Sequence, residues 1–178
     1  MKTVTLLTAG LLGGALAAGP VQAEGFFGSL YYQVQDLKLN DTSYYPQQWL
    51  ASAGWLSHYG IGPEIQLGWG SREHEKDGLS IETGDFRGVA VRLQSPDEFG
   101  GHAWVSVGYG ELQLDGSLDG EDYPGSEWFK GPTVTIGVEL LVSRNRLPGL
   151  AMGLTYSRWF LEDDMQNDNF GLGASYAF

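Results

Sequence analysis

The chain has 178 residues with 10 basic and 22 acidic side chains, giving a formal net charge of −12, and it contains no cysteine. The acidic balance argues against nucleic acid as a partner, and the lack of cysteine excludes disulfide bonds and thiolate metal sites. The 27 glycines disfavour a helical fold, because each glycine destabilises a helix interior by about 1 kcal/mol relative to alanine.

The first 23 residues have the pattern of a secretory signal peptide. Lys2 precedes an apolar stretch from Val4 to Ala18, and the pair Gly19-Pro20 then leads to a cleavage-type ending at Ala23. The alternative, a membrane anchor, is disfavoured because the stretch is short and rich in glycine and alanine. We therefore expect cleavage before Glu24, which leaves residues 24–178 as one domain.

The remaining chain alternates between apolar and polar residues with a period of two, the pattern of β-strands. A shift of this phase near Gly110 suggests a β-bulge in the fifth strand. The eight predicted strands are Gly25–Leu37, Trp49–Ser57, Pro63–Arg72, Ile81–Gln94, His102–Leu114, Trp128–Ser143, Leu150–Leu161 and Phe170–Phe178.

The connections between these strands alternate in character. Links one to two, three to four, five to six and seven to eight are polar and mostly long, as in "DGSLDGEDYPGSE", whereas the others are short and turn-like, as in "HYGIG". An even number of antiparallel strands with short turns at one end and longer loops at the other is typical of an outer-membrane barrel. We thus predict an all-β fold, an eight-stranded antiparallel up-and-down transmembrane β-barrel with both termini in the periplasm.

The composition of the two strand faces supports this fold over a soluble β-sandwich with an aromatic core, the main alternative. One face is large and continuously apolar, while the other is polar or small, which suits a barrel whose outside contacts lipid. Aromatic side chains near strand ends would form the girdles at the two membrane interfaces. These aromatic residues are Trp49, Trp55, Trp69, Tyr109, Tyr156 and Phe178.

The signal peptide, the stretch "GPEIQLGWGS" and the ending "GLGASYAF" resemble the small eight-stranded outer-membrane barrels, namely the OmpA transmembrane domain, OmpX/Ail and opacity-protein-like families. The resemblance extends from Phe26 to Phe178. It implies that the barrel assembly machinery reads Phe170, Tyr176 and Phe178 as an insertion signal. It also implies a stand-alone, monomeric barrel in contact with outer-membrane lipid and lipopolysaccharide, without a soluble peptidoglycan-binding domain.

An eight-stranded barrel is filled by its inward side chains and is not an open pore. Charges enclosed there must be paired, so we expect Arg92 to pair with Glu64, with Glu139 or with both, as a structural ion network rather than a gate. The residues predicted to face inward are Gln33, Gln35, Glu64, Gln66, Arg92, Thr135, Glu139, Thr155 and Ser157.

Acidic residues dominate the third and fourth long loops. Asp115, Asp119, Glu121 and Asp122 could bind a divalent cation weakly, since Asp115, Ser117, Asp119 and Gly120 match the start of an EF-hand loop. The match fails at the twelfth position, which is Ser126 rather than glutamate. The alternative is a solvated acidic surface that keeps the loops soluble, so no metal site is firmly predicted.

No catalytic motif is present. Among the three histidines only His74 lies on the long-loop side, with Ser71, Glu73 and Glu75 beside it, and residues so close in sequence rarely form a triad. We predict no enzymatic activity and no cofactor. The expected role is structural or surface-interacting, and the alternatives are a narrow, low-conductance channel and, less favoured, a lipid A-modifying enzyme.

Overall fold

The computed structural model describes residues 24–39, 42–76, 78–97, 100–118, 121–143, 147–161 and 165–178, with side chains for all of these except 39, 121–125, 143, 147 and 148. The signal peptide predicted for residues 1–23 lies outside the described residues. The strands are β1 (Gly25–Leu39), β2 (Thr42–Tyr44), β3 (Gln47–Leu56), β4 (Ile61–Arg72), β5 (His74–Lys76), β6 (Leu79–Gln94), β7 (Gly101–Leu118), β8 (Glu121–Ser143), β9 (Leu147–Phe160) and β10 (Gln166–Ala177).

The strands form one closed antiparallel sheet. Eight long strands pair in the order β10-β9-β8-β7-β6-β4-β3-β1, and β1 then pairs with β10 to close the barrel. The two three-residue strands extend this barrel, since β2 pairs with β1 beyond β3 and β5 pairs with β6 beyond β4. The predicted eight-stranded up-and-down barrel is confirmed. In the described part of the chain, no helix is long and apolar enough to cross a membrane.

The two ends of the barrel differ. We call the end that holds Gly25, Phe178 and the short turns the turn end, and the opposite end the loop end. At the turn end, the backbone N–H of Gly60 donates to the carbonyl of Ser57 at 2.8 Å. Gly60 has a φ of 71° there, which glycine adopts without strain.

The outer face of the wall is apolar, as the alternation predicts. The side chains of Ile65, Val89, Val138, Leu154 and Leu172 are each more than half exposed on this face. The aromatic residues predicted for the girdles also face outward, with Trp55 at the turn end and Trp69 at the loop end, 37% and 43% exposed. A surface this apolar fits lipid and not water.

The hairpin of β7 and β8 is longer than the sequence predicts. β7 extends to Leu118, and β8 begins at Glu121. Gly116 pairs with Gly125, and Leu118 pairs with Glu121. Most of the segment expected to be a polar loop is therefore an antiparallel arm in which the backbone hydrogen bonds with itself. The dipeptide Asp119-Gly120 is a typical hairpin turn sequence, and it indicates such an arm.

The bulge predicted near Gly110 is wrong. Gly110 pairs in register with Gly88 on one side and Gly131 on the other. The irregularities of β7 lie elsewhere, opposite Thr83 to Phe86 of β6 and next to Gly116. The phase of the backbone never changes near Gly110. Instead the inward face changes from polar residues to Leu112 and Leu114, both buried.

This change divides the lumen into two halves. The loop-end half contains an apolar cluster with the Phe86 and Trp159 rings stacked at its centre, 4.1 Å apart and inclined by 10°. The turn-end half contains charged and hydrogen-bonded residues. The members of the loop-end cluster are Leu37, Tyr44, Leu50, Ile81, Phe86, Leu112, Leu114, Trp159, Leu161 and Met165.

Candidate functional site

The carboxylate of Glu139, on β8, is the centre of the turn-end half of the lumen. Its side chain is 1% exposed. Oε1 accepts hydrogen bonds from the Tyr31 hydroxyl, from Trp104 Nε1 at 2.9 Å and from Arg92 Nη2 at 3.5 Å. These donors come from β1, β7 and β6, so a single carboxylate connects strands on opposite sides of the barrel.

The second oxygen of Glu139 is equally occupied. Oε2 lies 2.8 Å from His102 Nε2 and accepts a hydrogen bond from Ser175 Oγ at 2.5 Å. The other ring nitrogen of His102, Nδ1, lies 2.8 Å from Asp97 Oδ1 in the turn between β6 and β7. Five polar neighbours stabilise the charged form of this buried carboxylate, because their donors replace its hydration shell.

Arg92 is enclosed by polar and aromatic groups. Its guanidinium lies over the rings of Trp104 and Phe27, with Cζ 4.0 and 4.5 Å from the ring centroids. Nη2 donates to Gln94 Oε1 at 3.1 Å as well as to Glu139. The aromatic faces stabilise the cation, whose side chain is only 1% exposed.

The two carboxylates expected to pair with Arg92 are placed differently. Arg92 forms an ion pair with Glu139 at 3.5 Å. Glu64 instead accepts hydrogen bonds from Gln66 Nε2 at 3.1 Å and Ser106 Oγ at 2.5 Å, and no ion pair joins it to Arg92 within the part of the chain that the structure describes. All nine residues predicted to face inward do so and are buried.

Sequence reasoning missed His102, Tyr31, Trp104 and Ser175 as partners of Glu139. His102 and Glu139 are direct cross-strand neighbours in the β7–β8 register, so the pairing of these strands alone would have identified that contact. Trp104 lies diagonal to Glu139 on the same pair of strands, since it pairs with Gly137, whereas Tyr31 and Ser175 reach Glu139 from β1 and β10. The contacts of Tyr31 and Ser175 depend on the stagger of the closed barrel, which no pair of strands determines by itself.

Of the four residues in the predicted acidic cluster, the structure describes the side chain of Asp115 alone. Asp115 accepts hydrogen bonds from Ser126 Oγ and from Gln113 Nε2. Asp119 lies outside the described residues, and so do the side chains of Glu121 and Asp122, whose backbones begin β8. Among the residues that are described, no group of three acidic or histidine side chains could hold a metal ion.

The three residues of the predicted insertion signal lie on the outer face of β10 and just after it. Phe170 and Phe178 are 61% and 79% exposed, and Tyr176 is 38% exposed. The Tyr176 and Phe178 rings meet edge to face, with centroids 4.9 Å apart. Their place at the turn end suits an interfacial girdle, since amphipathic aromatic rings favour that depth.

The histidines show no nucleophilic arrangement. His58 lies in a turn, with its ring centroid 3.6 Å from that of Tyr59, and His74 lies edge-on to Tyr44 and Tyr45. Within the described ranges, no hydrogen bond joins a histidine to a serine hydroxyl, and His102 contacts carboxylates at both nitrogens.

A closed eight-stranded barrel with an apolar outside and a filled, partly charged inside defines the class of small membrane-spanning β-barrels. No protein-family model matches the chain, and no curated protein matches it in sequence. Solved structures do match it over most of its length.

Neisserial surface protein A is similar with a TM-score of 0.67 and 12% identity, covering 86% of this chain and 97% of that one. Ail, the attachment invasion locus protein of Yersinia pestis, is similar with a TM-score of 0.63 and 16% identity, covering 87% and 99%. The N-terminal β-barrel domain of Pseudomonas aeruginosa OprF is similar with a TM-score of 0.57 and 10% identity, covering 84% and 97%. The chain thus has the fold of the small eight-stranded outer-membrane barrels, which supports a location in the outer membrane.

Proposed function

We propose that this protein is a non-enzymatic, integral outer-membrane barrel with a structural or surface-interaction role and a closed lumen. The observation that supports this proposal most directly is that the lumen is filled at two levels. The Glu139–Arg92 network occupies the turn-end half, and the Phe86–Trp159 stack with its surrounding apolar residues occupies the loop-end half. Because two buried layers fill the lumen in series, an interaction at the surface suits this fold better than transport through it.

The unequal ends of the barrel support one orientation in the membrane. The turn end, with the short turns and both chain ends, would face the periplasm, and the long acidic arms would face outward. Export through a signal peptide at residues 1–23, insertion directed by Phe170, Tyr176 and Phe178, and a monomeric state surrounded by lipid and lipopolysaccharide belong to the same proposal.

The surface charge limits the kind of partner. Ail was solved in complex with the heparin analogue sucrose octasulfate. The present chain has a net charge of −12, so we expect it to repel polyanions and to favour cationic or cation-bridged partners. Isothermal titration of the detergent-folded protein with calcium would test the cation-bridged form, and heat equal to buffer dilution would remove the acidic loops as a cation site.

A narrow channel remains the second candidate, because a cavity of about 540 Å³ enters the lumen from the turn end as far as Arg92 and Glu139. Planar-bilayer recording separates the two functions. We expect no single-channel steps above the lipid background for the native protein. Discrete steps would replace the structural role with conduction, and a change in lipid A mass on expression would instead indicate an enzyme.

The barrel itself needs its own control. An electrophoretic band that shifts only after boiling shows a folded barrel, and a chain that fails to shift would undermine the fold and every function built on it.

A further inference from the structure

In the described part of the chain, the arm of β7 and β8 has one strand edge without a neighbour. β7 is paired on both sides along the arm, with β6 and with β8, as far as Leu118. β8 pairs with β9 only from Thr133 onwards, where Thr133 lies opposite Trp159. The preceding stretch, Gly125–Gly131, is in register with β7 alone. We call this stretch the β8 edge.

The link between β9 and β10 is too short to cover the β8 edge. Leu161 N donates to Met165 O at 3.0 Å, so only residues 162–164 join two positions that are themselves hydrogen-bonded. The β8 edge extends over roughly 23 Å at the usual rise of a strand. Three residues that leave and return to one place cannot reach along that length, so the edge remains open to another chain.

A row of charged residues marks where the barrel wall leaves the hydrocarbon. Arg87 of β6 pairs with Glu111 of β7, and Glu111 pairs with Lys130 of β8. This row lies on the outer face, on the loop-end side of the exposed apolar residues Val89 and Tyr109. Charged side chains on the outer face are unfavourable in the hydrocarbon. The β8 edge beyond Lys130 is therefore in water, where a partner can reach it.

The backbone of the β8 edge is suited to pairing with another strand. A strand edge in water presents unpaired N–H and C=O groups to any extended chain that comes beside it. Pro124 and Pro132 limit the usable length, because proline has no backbone N–H to donate. The stretch between them contains no proline, and its length suits a partner strand of about six residues.

The side chains of the arm favour a cationic partner. Residues 115–128 include five acidic residues and no basic one, so a segment rich in lysine or arginine is attracted and an acidic one is repelled. Trp128 is 40% exposed on the β8 edge, and Arg87 Cζ lies 5.3 Å from the centroid of its ring. The ring thus already contacts one cation, and a basic side chain of a partner would find the same kind of contact there.

We propose that the β8 edge is a docking site for an extended segment of another protein that is rich in lysine or arginine and adds as a further strand beside β8. Main-chain hydrogen bonds hold the segment, and the acidic arm selects its charge. This inference rests on the proposed surface-interaction role and deepens it, because it gives the place on the surface where a partner binds and the chemistry of that partner.

Two peptides of equal charge test the docking site by fluorescence anisotropy with the detergent-folded protein. One alternates lysine with valine and can form a strand. The other alternates lysine with proline, so it has the same charge but cannot form the ladder of hydrogen bonds. We expect the valine peptide to bind about tenfold more tightly, because several main-chain hydrogen bonds are lost together in the proline peptide. Equal affinities would show that charge alone drives binding and would overturn the docking site.

Amide hydrogen exchange locates the bound valine peptide on the protein. We expect alternate amides of the β8 edge to become protected in the complex, because every second N–H of a strand points to the same side. Gln66 of β4 is the internal reference, since β4 is paired there with both β3 and β6 and its protection should not change. A complex that protects none of the β8 edge amides would contradict the proposal.

A charge reversal on the β8 edge gives the matched pair of variants. Glu127→Lys should weaken binding of the valine peptide about fivefold, by removing an attraction and adding a repulsion at the edge. Glu75→Lys changes the net charge equally on the exposed strand β5 and should have little effect. The same loss in both variants would show that net charge and not the edge is recognised.

The tests separate the docking site from the function on which it rests. Every preparation must first show the heat-modifiable band, so that a failure to fold is recognised as such. A folded barrel that does not conduct and does not distinguish the two peptides overturns the docking site and leaves the structural role intact. Single-channel steps would instead overturn the proposed function, whatever the peptides do.

Discussion

The two halves of the lumen fill the same barrel by different physics. The turn-end half is closed by a carboxylate with five polar neighbours, whose contacts are directional and carry charge. The loop-end half is closed mainly by apolar packing around two stacked rings, which is non-directional and depends on volume, beside one smaller polar set in which Gln35 Oε1 accepts hydrogen bonds from Thr83 and Asn167. The contrast teaches that burial inside a barrel does not select one chemistry, and that each half should fail in its own way.

The largest effect is expected from Glu139→Leu, which removes the acceptor shared by five groups and leaves Arg92 unpaired in the lumen. Breaking a buried ion pair by removing one partner costs about 3–5 kcal/mol. The midpoint of the gel shift with temperature or urea should fall accordingly. The neighbouring Leu140→Ala on the lipid face serves as control, and an equal loss in both variants would show that the network contributes nothing of its own.

The next effect concerns the space around Phe86. A Cβ at Gly110 would lie 2.6 Å from Phe86 Cε2, so Gly110→Ala should overpack the loop-end half and cost about 1–3 kcal/mol. Combining it with Phe86→Leu should restore part of the loss, because the ring that clashes is gone. Strictly additive losses in the double variant would show that Gly110 does not act through this ring.

Phe86→Leu alone should have a smaller effect. It keeps most of the apolar volume but removes the stack on Trp159, and aromatic pairs contribute about 0.5–1.5 kcal/mol beyond their buried area. Unfolding in urea provides the measurement. Phe170→Leu on the lipid face is the matched control, and we expect it to change the midpoint less.

The smallest effect is expected outside the lumen, at the loop end. Arg158 donates from Nε and Nη2 to Asp168 at 2.6 and 2.8 Å, and its side chain is 34% exposed. Because solvent screens this pair, Arg158→Gln should cost about 1 kcal/mol or less and lose its effect in high salt. A loss of stability as large as that of Glu139→Leu would show that the different solvent exposure of the two ion pairs does not decide how much each contributes.

The sequence predicted the strands and their inward polar residues, because both follow from a period of two. It did not decide whether Glu64 or Glu139 pairs with Arg92, since that choice depends on the stagger of all eight strands. The sequence pattern also predicted a change of phase near Gly110, where the inward face instead changes from polar residues to Leu112 and Leu114. Alternation assigns one chemistry to each face, and a face that is polar in one half and apolar in the other violates that assumption.

The pairing of β1 with β10, which closes the barrel, affects the rates of assembly and unfolding rather than the equilibrium stability. Phe27 pairs with Ala177 and Lys38 with Gln166, so the two edges of the sheet can meet only after β10, the last of the eight long strands, has been made. Until they meet, any part of the two edges that lies in lipid exposes backbone groups without hydrogen-bond partners, and this costs free energy. The same cost opposes opening of the barrel, because the hydrogen bonds between β1 and β10 cannot be replaced by hydrogen bonds to lipid. Once formed, the barrel should therefore persist for long times through slow unfolding, whatever its equilibrium stability.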